Sequence, residues 1–485
     1  MHQTVREFFR PDGPTAKSVF RMSSNDDANL GIAIACIRYL MLCVTNSSFS
    51  NGPATASWTS DHFEACVRYL DERPFFKYAL KYLEVHLHKC HPSQVTRVSA
   101  LVSQVLEKLT RGPVSCILEA WVPQDWRQVV AAEKEQYDRK EFRKRLLHTA
   151  IRMKCSQVVD VLLIAGAEVE ASLDGKTPLM VSAEIGDSET ARVLLDQGAS
   201  TAAKDNNRQT ALHLAARRGN DLIVRLLINR GADKEARDDE EQTALHLAAI
   251  NGRETVARLL IDQGAEREAR AMEEQTALHL AAREGHNLVV KLLIDRGADK
   301  EARNNKAQTA LHLVAVNGRE AVARLLIDQG AKKEARAMEE QTALHLAAAN
   351  GRENVVELLL NRGVDIGLED SYGWQALHTA AWNGQEGTVK MLVETFSADK
   401  EARDRCRWTA LHLAALCGRG AMVEMIIGNL GADKEAKDEI GWTALHFVAA
   451  LGFKDTAKTL IKILDVDKHA QNREGKTALG IAQEL

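Results

Sequence analysis

Thr243-Ala244-Leu245-His246-Leu247-Ala248-Ala249 decides the fold, because the chain repeats it at a fixed spacing. Thr210, Thr243, Thr276, Thr309 and Thr342 each open a Thr-Ala-Leu-His stretch, 33 residues apart. Thr409 and Thr443 open it again, 34 apart. Looser copies start at Thr177 (Thr-Pro-Leu-Met), Gln375 (Gln-Ala-Leu-His) and Thr477 (Thr-Ala-Leu-Gly). A period in this range marks stacked supersecondary units, which build extended binding surfaces rather than enclosed pockets.

Each unit has one internal logic. A helix follows the Thr, and its alanines allow close packing against neighbours. Asn251-Gly252 stops that helix, since Gly takes the left-handed cap position without strain. A second helix is expected from Glu254 to Asp262, with Val256, Leu259, Leu260 and Ile261 as its buried stripe. Gly264 ends it, and Ala265 to Glu274 crosses to the next unit as an extended turn.

The pattern resembles the ankyrin repeat, whose Thr-Pro-Leu-His-x-Ala signature stands here as Thr-Ala-Leu-His-Leu-Ala. The Gly-Ala-Asp turn recurs at Gly231, Gly297 and Gly431. The resemblance implies an all-α solenoid over residues 141–485 of about ten repeats. A divergent unit opens it near Leu146–Ala171, and a stub closes it at Arg473–Leu485. A turn glycine two residues before Thr stands at Gly175, Gly373, Gly441 and Gly475. Arg208, Glu241, Glu274, Ala307, Glu340 and Arg407 replace it elsewhere. A left-handed non-Gly residue costs roughly 1 kcal/mol, so these fingertips are expected to take another turn. Asn251–Ala282 and Asn317–Ala348 are nearly identical and lie two repeats apart, as if the array had grown by copying pairs of units.

Seven of the eight prolines fall in residues 1–123, which separates a helical module, residues 1–140, from the array. Helices are expected over 30–44, 62–70, 75–90 and 95–109, and over 130–145 leading into the array. The segments 2–9 and 74–86 resemble the winged-helix end and following helices of fungal NACHT–ankyrin proteins, which are NLR-like signalling ATPases. That resemblance makes residues 1–140 a bridge between an ATPase and an ankyrin sensor. No phosphate-binding loop is present: Pro11-Asp12-Gly13-Pro14-Thr15-Ala16-Lys17-Ser18 lacks the two glycines such a loop needs.

Charge excludes nucleic acid as the default partner. Residues 1–140 carry 17 Lys and Arg against 15 Asp and Glu; the rest, by subtraction from 63 and 67, carries 46 against 52. The cysteines form no Cys-x-x-Cys pair and read as reduced thiols. The chain opens without a signal segment, and the 30–44 run is too short to span a membrane. A cytoplasmic location follows, with the nucleus as an alternative.

No Gly-x-Ser-x-Gly or His-Glu-x-x-His motif is present, so no enzyme, cofactor or metal is expected. For the His column at 213, 246, 279, 312, 345, 378, 412 and 446, the ankyrin resemblance implies that each ring bonds backbone in the turn of its own or the next repeat; rings a repeat apart lie too far from one another to share a metal. His86-Leu87-His88-Lys89-Cys90-His91 has zinc-ligand types but no second ligand pair. The acidic fingertips Asp239, Glu240, Glu273, Glu274, Glu339 and Glu340 read as a solvated, self-paired face, or as a groove for a basic peptide.

The sharper candidate is a protein-binding patch. In the family resembled, the concave face is lined by the residue before Thr, the fingertip and the first helix end. Those positions hold Tyr372, Trp374 and Trp382; Cys406, Trp408 and Leu416; and Ile440, Trp442 and Leu451. Trp at this place either anchors a partner or packs on the neighbouring finger. The expected function is protein recognition by a sensor array. The alternatives are the C-terminal piece of a signalling ATPase and a purely structural scaffold.

Overall fold

The computed structural model describes residues 167–484 and, before them, 144, 147–148, 150–152, 154 and 156–164. The N-terminal helices, the His86–His91 cluster and all of 130–145 except residue 144 lie outside the described residues. The chain divides into two compact units. One is Met1–Ala215 with Leu222–Asp233, and the other is Ala216–Asp221 with Lys234–Leu485.

In the first unit, helix Pro178–Ile185 packs on Ser188–Asp196, and Ser188–Asp196 packs on Ser156–Ile164. Thr177 caps the first of these and Asp187 the second, each side chain accepting an amide that the helix itself leaves free. Arg230 pairs with Asp196 at 2.6 Å.

The second unit is a run of helix pairs, starting with Ala244–Ile250 and Glu254–Asp262. First helices stack on first helices of the next repeat, and second helices on second. The small residues explain the spacing: Ala248, Ala249, Ala281 and Ala282 are buried, so little side-chain bulk separates neighbouring backbones. Val256, Leu259, Leu260 and Ile261 are all buried, as the stripe predicts. Among the described residues the elements are helical, with two isolated bridges, Leu173–Lys176 and Gln471–Thr477.

The last repeats carry one residue more, and their second helices absorb it. In a 33-residue unit, Ala298 N donates to Leu293 O, five residues back. In the longer units, Ala398, Ala432 and Val466 reach six back, to Leu392, Ile426 and Leu460. Met425–Asn429 and Thr459–Ile463 wind as π turns to do so. The fingers therefore stay in register.

The fingertip turns correct the expectation from the missing glycines. Arg208, Glu241, Ala307 and Arg407 keep the left-handed conformation, with φ of 57°, 56°, 54° and 61°. What holds them is the finger root: Asp238 Oδ1, for example, accepts the amides of Glu240 and Gln242, both at 2.9 Å. The two duplicated fingers differ. Ala271 and Ala337 stand where the other fingers from Asp205 onward have Asp or Asn, so that acceptor is gone. There two consecutive residues turn left-handed, Glu273 with Glu274 and Glu339 with Glu340, the type I′ pattern.

Sign-alternating segments of the Lys300-Glu301-Ala302-Arg303 kind stitch neighbouring repeats together. Lys300 Nζ donates to Gln329 O at 2.6 Å. Glu301 accepts the Lys332 amide at 2.8 Å. Arg303 donates to Arg336 O at 2.8 Å. Segment 400–403 repeats the three bonds, to the carbonyls of Leu430 and Gly431, the amide of Asp433 and the carbonyl of Lys437. Each charged side chain thus satisfies a backbone group of the next repeat.

Candidate partner-binding site

The fingers are strung together by one backbone bond each. Ser371 N donates to Glu339 O at 2.9 Å, Arg405 N to Tyr372 O at 3.4 Å, Glu439 N to Cys406 O at 3.3 Å, and Arg473 N to Ile440 O at 3.0 Å. The His column fixes the finger roots from beneath. Thr342 N–H donates to His345 Nδ1 at 3.2 Å, so the other nitrogen carries the proton. Nε2–H then donates to Trp374 O at 2.8 Å. His412 bonds Ala436 O and Trp442 O, and His378 bonds Ala402 O. These rings hold backbone, as the resemblance implies. Burial pushes their pKa down, with His246 and His312 at about 4.

Trp374, Trp408 and Trp442 are half-buried, and two of them are tied into the next finger. Trp374 Nε1 donates to Asp404 Oδ2 at 3.0 Å, and Trp408 Nε1 to Asp438 Oδ2 at 3.2 Å. Phe447 lies between two indoles, with ring centroids 5.5 Å from Trp408 and 5.1 Å from Trp442. The packing alternative therefore describes the geometry of Trp374 and Trp408.

What they carry outward is a row of exposed apolar groups. Tyr372 is 53 % exposed, Ile440 53 %, Leu451 49 % and Trp382 36 %. Cys406 is also exposed, and Leu416 is half-buried. Trp382 packs on Trp374 at 5.5 Å, and its carbonyl accepts Arg419 Nε at 3.1 Å. Tyr372 lies 6.1 Å from Trp374 and donates its hydroxyl to Glu339 at 3.3 Å. The Glu339 charge raises the Tyr372 phenol above its ordinary pKa.

The acidic fingertips are largely committed to their own chain. Arg237 pairs with Glu241 at 3.7 Å, Arg270 with Glu274 at 3.3 Å, and Arg336 with Glu340 at 3.5 Å. Gln242 and Gln275 donate to Glu240 and Glu273 at 2.7 and 3.0 Å. One acceptor is left over. Asp370 Oδ1 takes the amides of Tyr372 and Trp374, but its buried Oδ2 has no hydrogen-bond partner. Sequence reading missed this group, whose signal is Gln341 standing where the next two fingers place Trp374 and Trp408.

Among the described residues, no group of His, Cys, Asp and Glu could hold a metal ion, and no helix is long and apolar enough to cross a membrane. No curated protein matches the chain. The family model for ankyrin repeats (3 copies) matches residues 147–238, 224–304, 300–370, 335–404, 363–438 and 411–485. Those overlapping matches run from 147 to the last residue, more than half of the chain, and the chain belongs to the ankyrin-repeat family, a family of protein–protein interaction modules.

Proposed function

We propose that this array binds a protein partner through the fingertips and first-helix ends of residues 371–451, and that it serves as the sensing part of an NLR-like signalling protein. The observation that carries the binding face is the exposed row Tyr372, Trp382, Cys406, Ile440 and Leu451, displayed on a base fixed by Trp–Asp and His–backbone bonds. Large apolar groups held rigid in the open supply binding area at little ordering cost. Trp374, Trp408, Trp442 and Leu416 belong to the same proposed face as its half-buried floor. The signalling role rests on the resemblance of segments 2–9 and 74–86 to NACHT–ankyrin proteins. An upstream reading frame in phase with Met1 that encodes a phosphate-binding loop supports that role; a frame closed by stop codons removes it.

The face is tested by affinity capture with the full chain and with the variant Tyr372→Ser, Trp382→Gln, Ile440→Ser, Leu451→Ser. Tyr372, Ile440 and Leu451 are about half exposed and Trp382 packs on Trp374, so circular dichroism checks that the variant folds. A partner held by the native chain and lost by the folded variant supports the reading. Equal capture by both contradicts it and leaves the structural scaffold.

A further inference from the structure

We propose that the junction between finger 338–341 and finger 370–374 is the anchor for a cationic side chain, Arg or Lys, of the partner. This deepens the binding reading above and rests on it.

The array contains its own comparison. Ala271-Met272-Glu273-Glu274-Gln275 and Ala337-Met338-Glu339-Glu340-Gln341 are identical in sequence and in turn. Their neighbours differ. The first is followed by Asn304 and Lys306, the second by Asp370 and Tyr372. In the first copy, Gln275 donates to Glu273 at 3.0 Å, and Asn304 finds Gln308 at 3.3 Å. In the second copy, Glu339 turns to the Tyr372 hydroxyl at 3.3 Å instead. Asp370 is only 3 % exposed, yet Oδ2 accepts nothing. In the two following repeats that same oxygen takes an indole N–H from the preceding finger. The place of the absent donor is therefore known: it lies toward Gln341.

A cation fits what surrounds that place. Glu339 offers negative charge at the rim and Asp370 an unpartnered carboxylate oxygen at the floor. Tyr372, Trp374 and Trp382 stand in series, at 6.1 and 5.5 Å, as aromatic faces for a guanidinium or ammonium. A neutral donor gains only the bond to the Asp370 oxygen, as the indoles do in the next two repeats, and nothing from the Glu339 charge; an acidic side chain is repelled. Arg405 and Arg407 are exposed on the next finger, so the cation is confined to the 338–341 side. Glu340 is held by Arg336 and contributes field rather than a contact.

The test is fluorescence anisotropy with the full chain and short fluorescein-labelled peptides of alternating Leu and Xaa, where Xaa is Arg, Gln or Glu. The Arg peptide is expected to bind at least about tenfold tighter than the Gln peptide, as befits a charge-assisted pair. Glu339→Gln and Asp370→Asn should each remove most of that preference. Asn at a finger root is already accommodated at Asn304, whose Oδ1 accepts the amides of Lys306 and Gln308, so Asp370→Asn keeps the turn. Gln341→Trp should supply Asp370 Oδ2 with the indole donor of the next two repeats and abolish the preference without unfolding the chain. Glu273→Gln, in the duplicate finger, should change nothing. Equal binding of all three peptides overturns the proposal, as does equal loss from Glu273→Gln and Glu339→Gln, which would mean diffuse charge attraction. If a Gln or Glu peptide binds best and Tyr372→Ser abolishes it, the cation anchor is wrong and the binding face stands. If no peptide binds and the four-site surface variant still captures its partner, both fail.

Discussion

The indole N–H of Trp374 donates to the carboxylate of Asp404, thirty residues further on, at 3.0 Å. The bond turns a fingertip aromatic into a joint between repeats. Removing the donor leaves a buried acceptor unsatisfied, which costs about 1–3 kcal/mol. Trp374→Phe is therefore expected to destabilise by that order in urea unfolding. A second substitution, Asp404→Asn, should recover part of the loss, since Asn keeps the Oδ1 that accepts the amides of its own finger, as Asn304 does, and removes the unsatisfied carboxylate oxygen.

Gln341→Trp makes the opposite change. It supplies Asp370 Oδ2 with the donor that the next two repeats already have, and the expected gain is about 1 kcal/mol. The urea midpoint should rise, and no such rise should follow when Asp370→Asn is added.

The duplicated fingers store strain in two consecutive left-handed residues. Glu274→Gly and Glu340→Gly are each expected to stabilise by about 1 kcal/mol, since Gly adopts positive φ freely. Ala271→Asp should restore the acceptor for the finger amides and return Glu273 to negative φ. Backbone scalar couplings of residues 273 and 274 would report the change.

Acid should loosen the array from the finger roots. Burial holds His246 and His312 at about 4, well below the ordinary imidazole value of about 6.5. The unfolded chain binds protons that the folded chain refuses between these values. Their stabilisation is therefore complete above pH of about 6.5 and is lost as pH falls through about 4, roughly 3 kcal/mol for each ring. His279, His345, His378 and His412 shift in the same direction. Urea midpoints measured from pH 7 down to pH 4 should drop steeply, and a flat profile would contradict the neutral, Nε2-protonated assignment.

Much of the fold was legible because Thr-Ala-Leu-His writes a helix start, a core residue and a turn anchor in four letters. The stripe of Val256, Leu259, Leu260 and Ile261 followed from spacing, and the role of His345 from the ankyrin resemblance. The fingertip conformations did not. Arg407 stays left-handed because Asp404, three residues earlier, binds the amides around it, whereas Glu273 and Glu274 answer to an alanine at 271. The stitches at Lys300, Glu301 and Arg303 were hidden too, because alternating charge looks the same whether it faces water or the carbonyls of the next repeat. At the candidate site, spacing aligned Tyr372, Trp374 and Trp382, but only the structure separated the half-buried floor from the exposed row.

The central claim is that the partner lies on that row. Its most direct test places a photo-crosslinking amino acid at Tyr372, at Ile440, and at Leu288, an exposed residue on a second helix, in the full chain. The account predicts that one protein is trapped from positions 372 and 440 and not from 288. Trapping from 288 alone, or equally from all three, would contradict it.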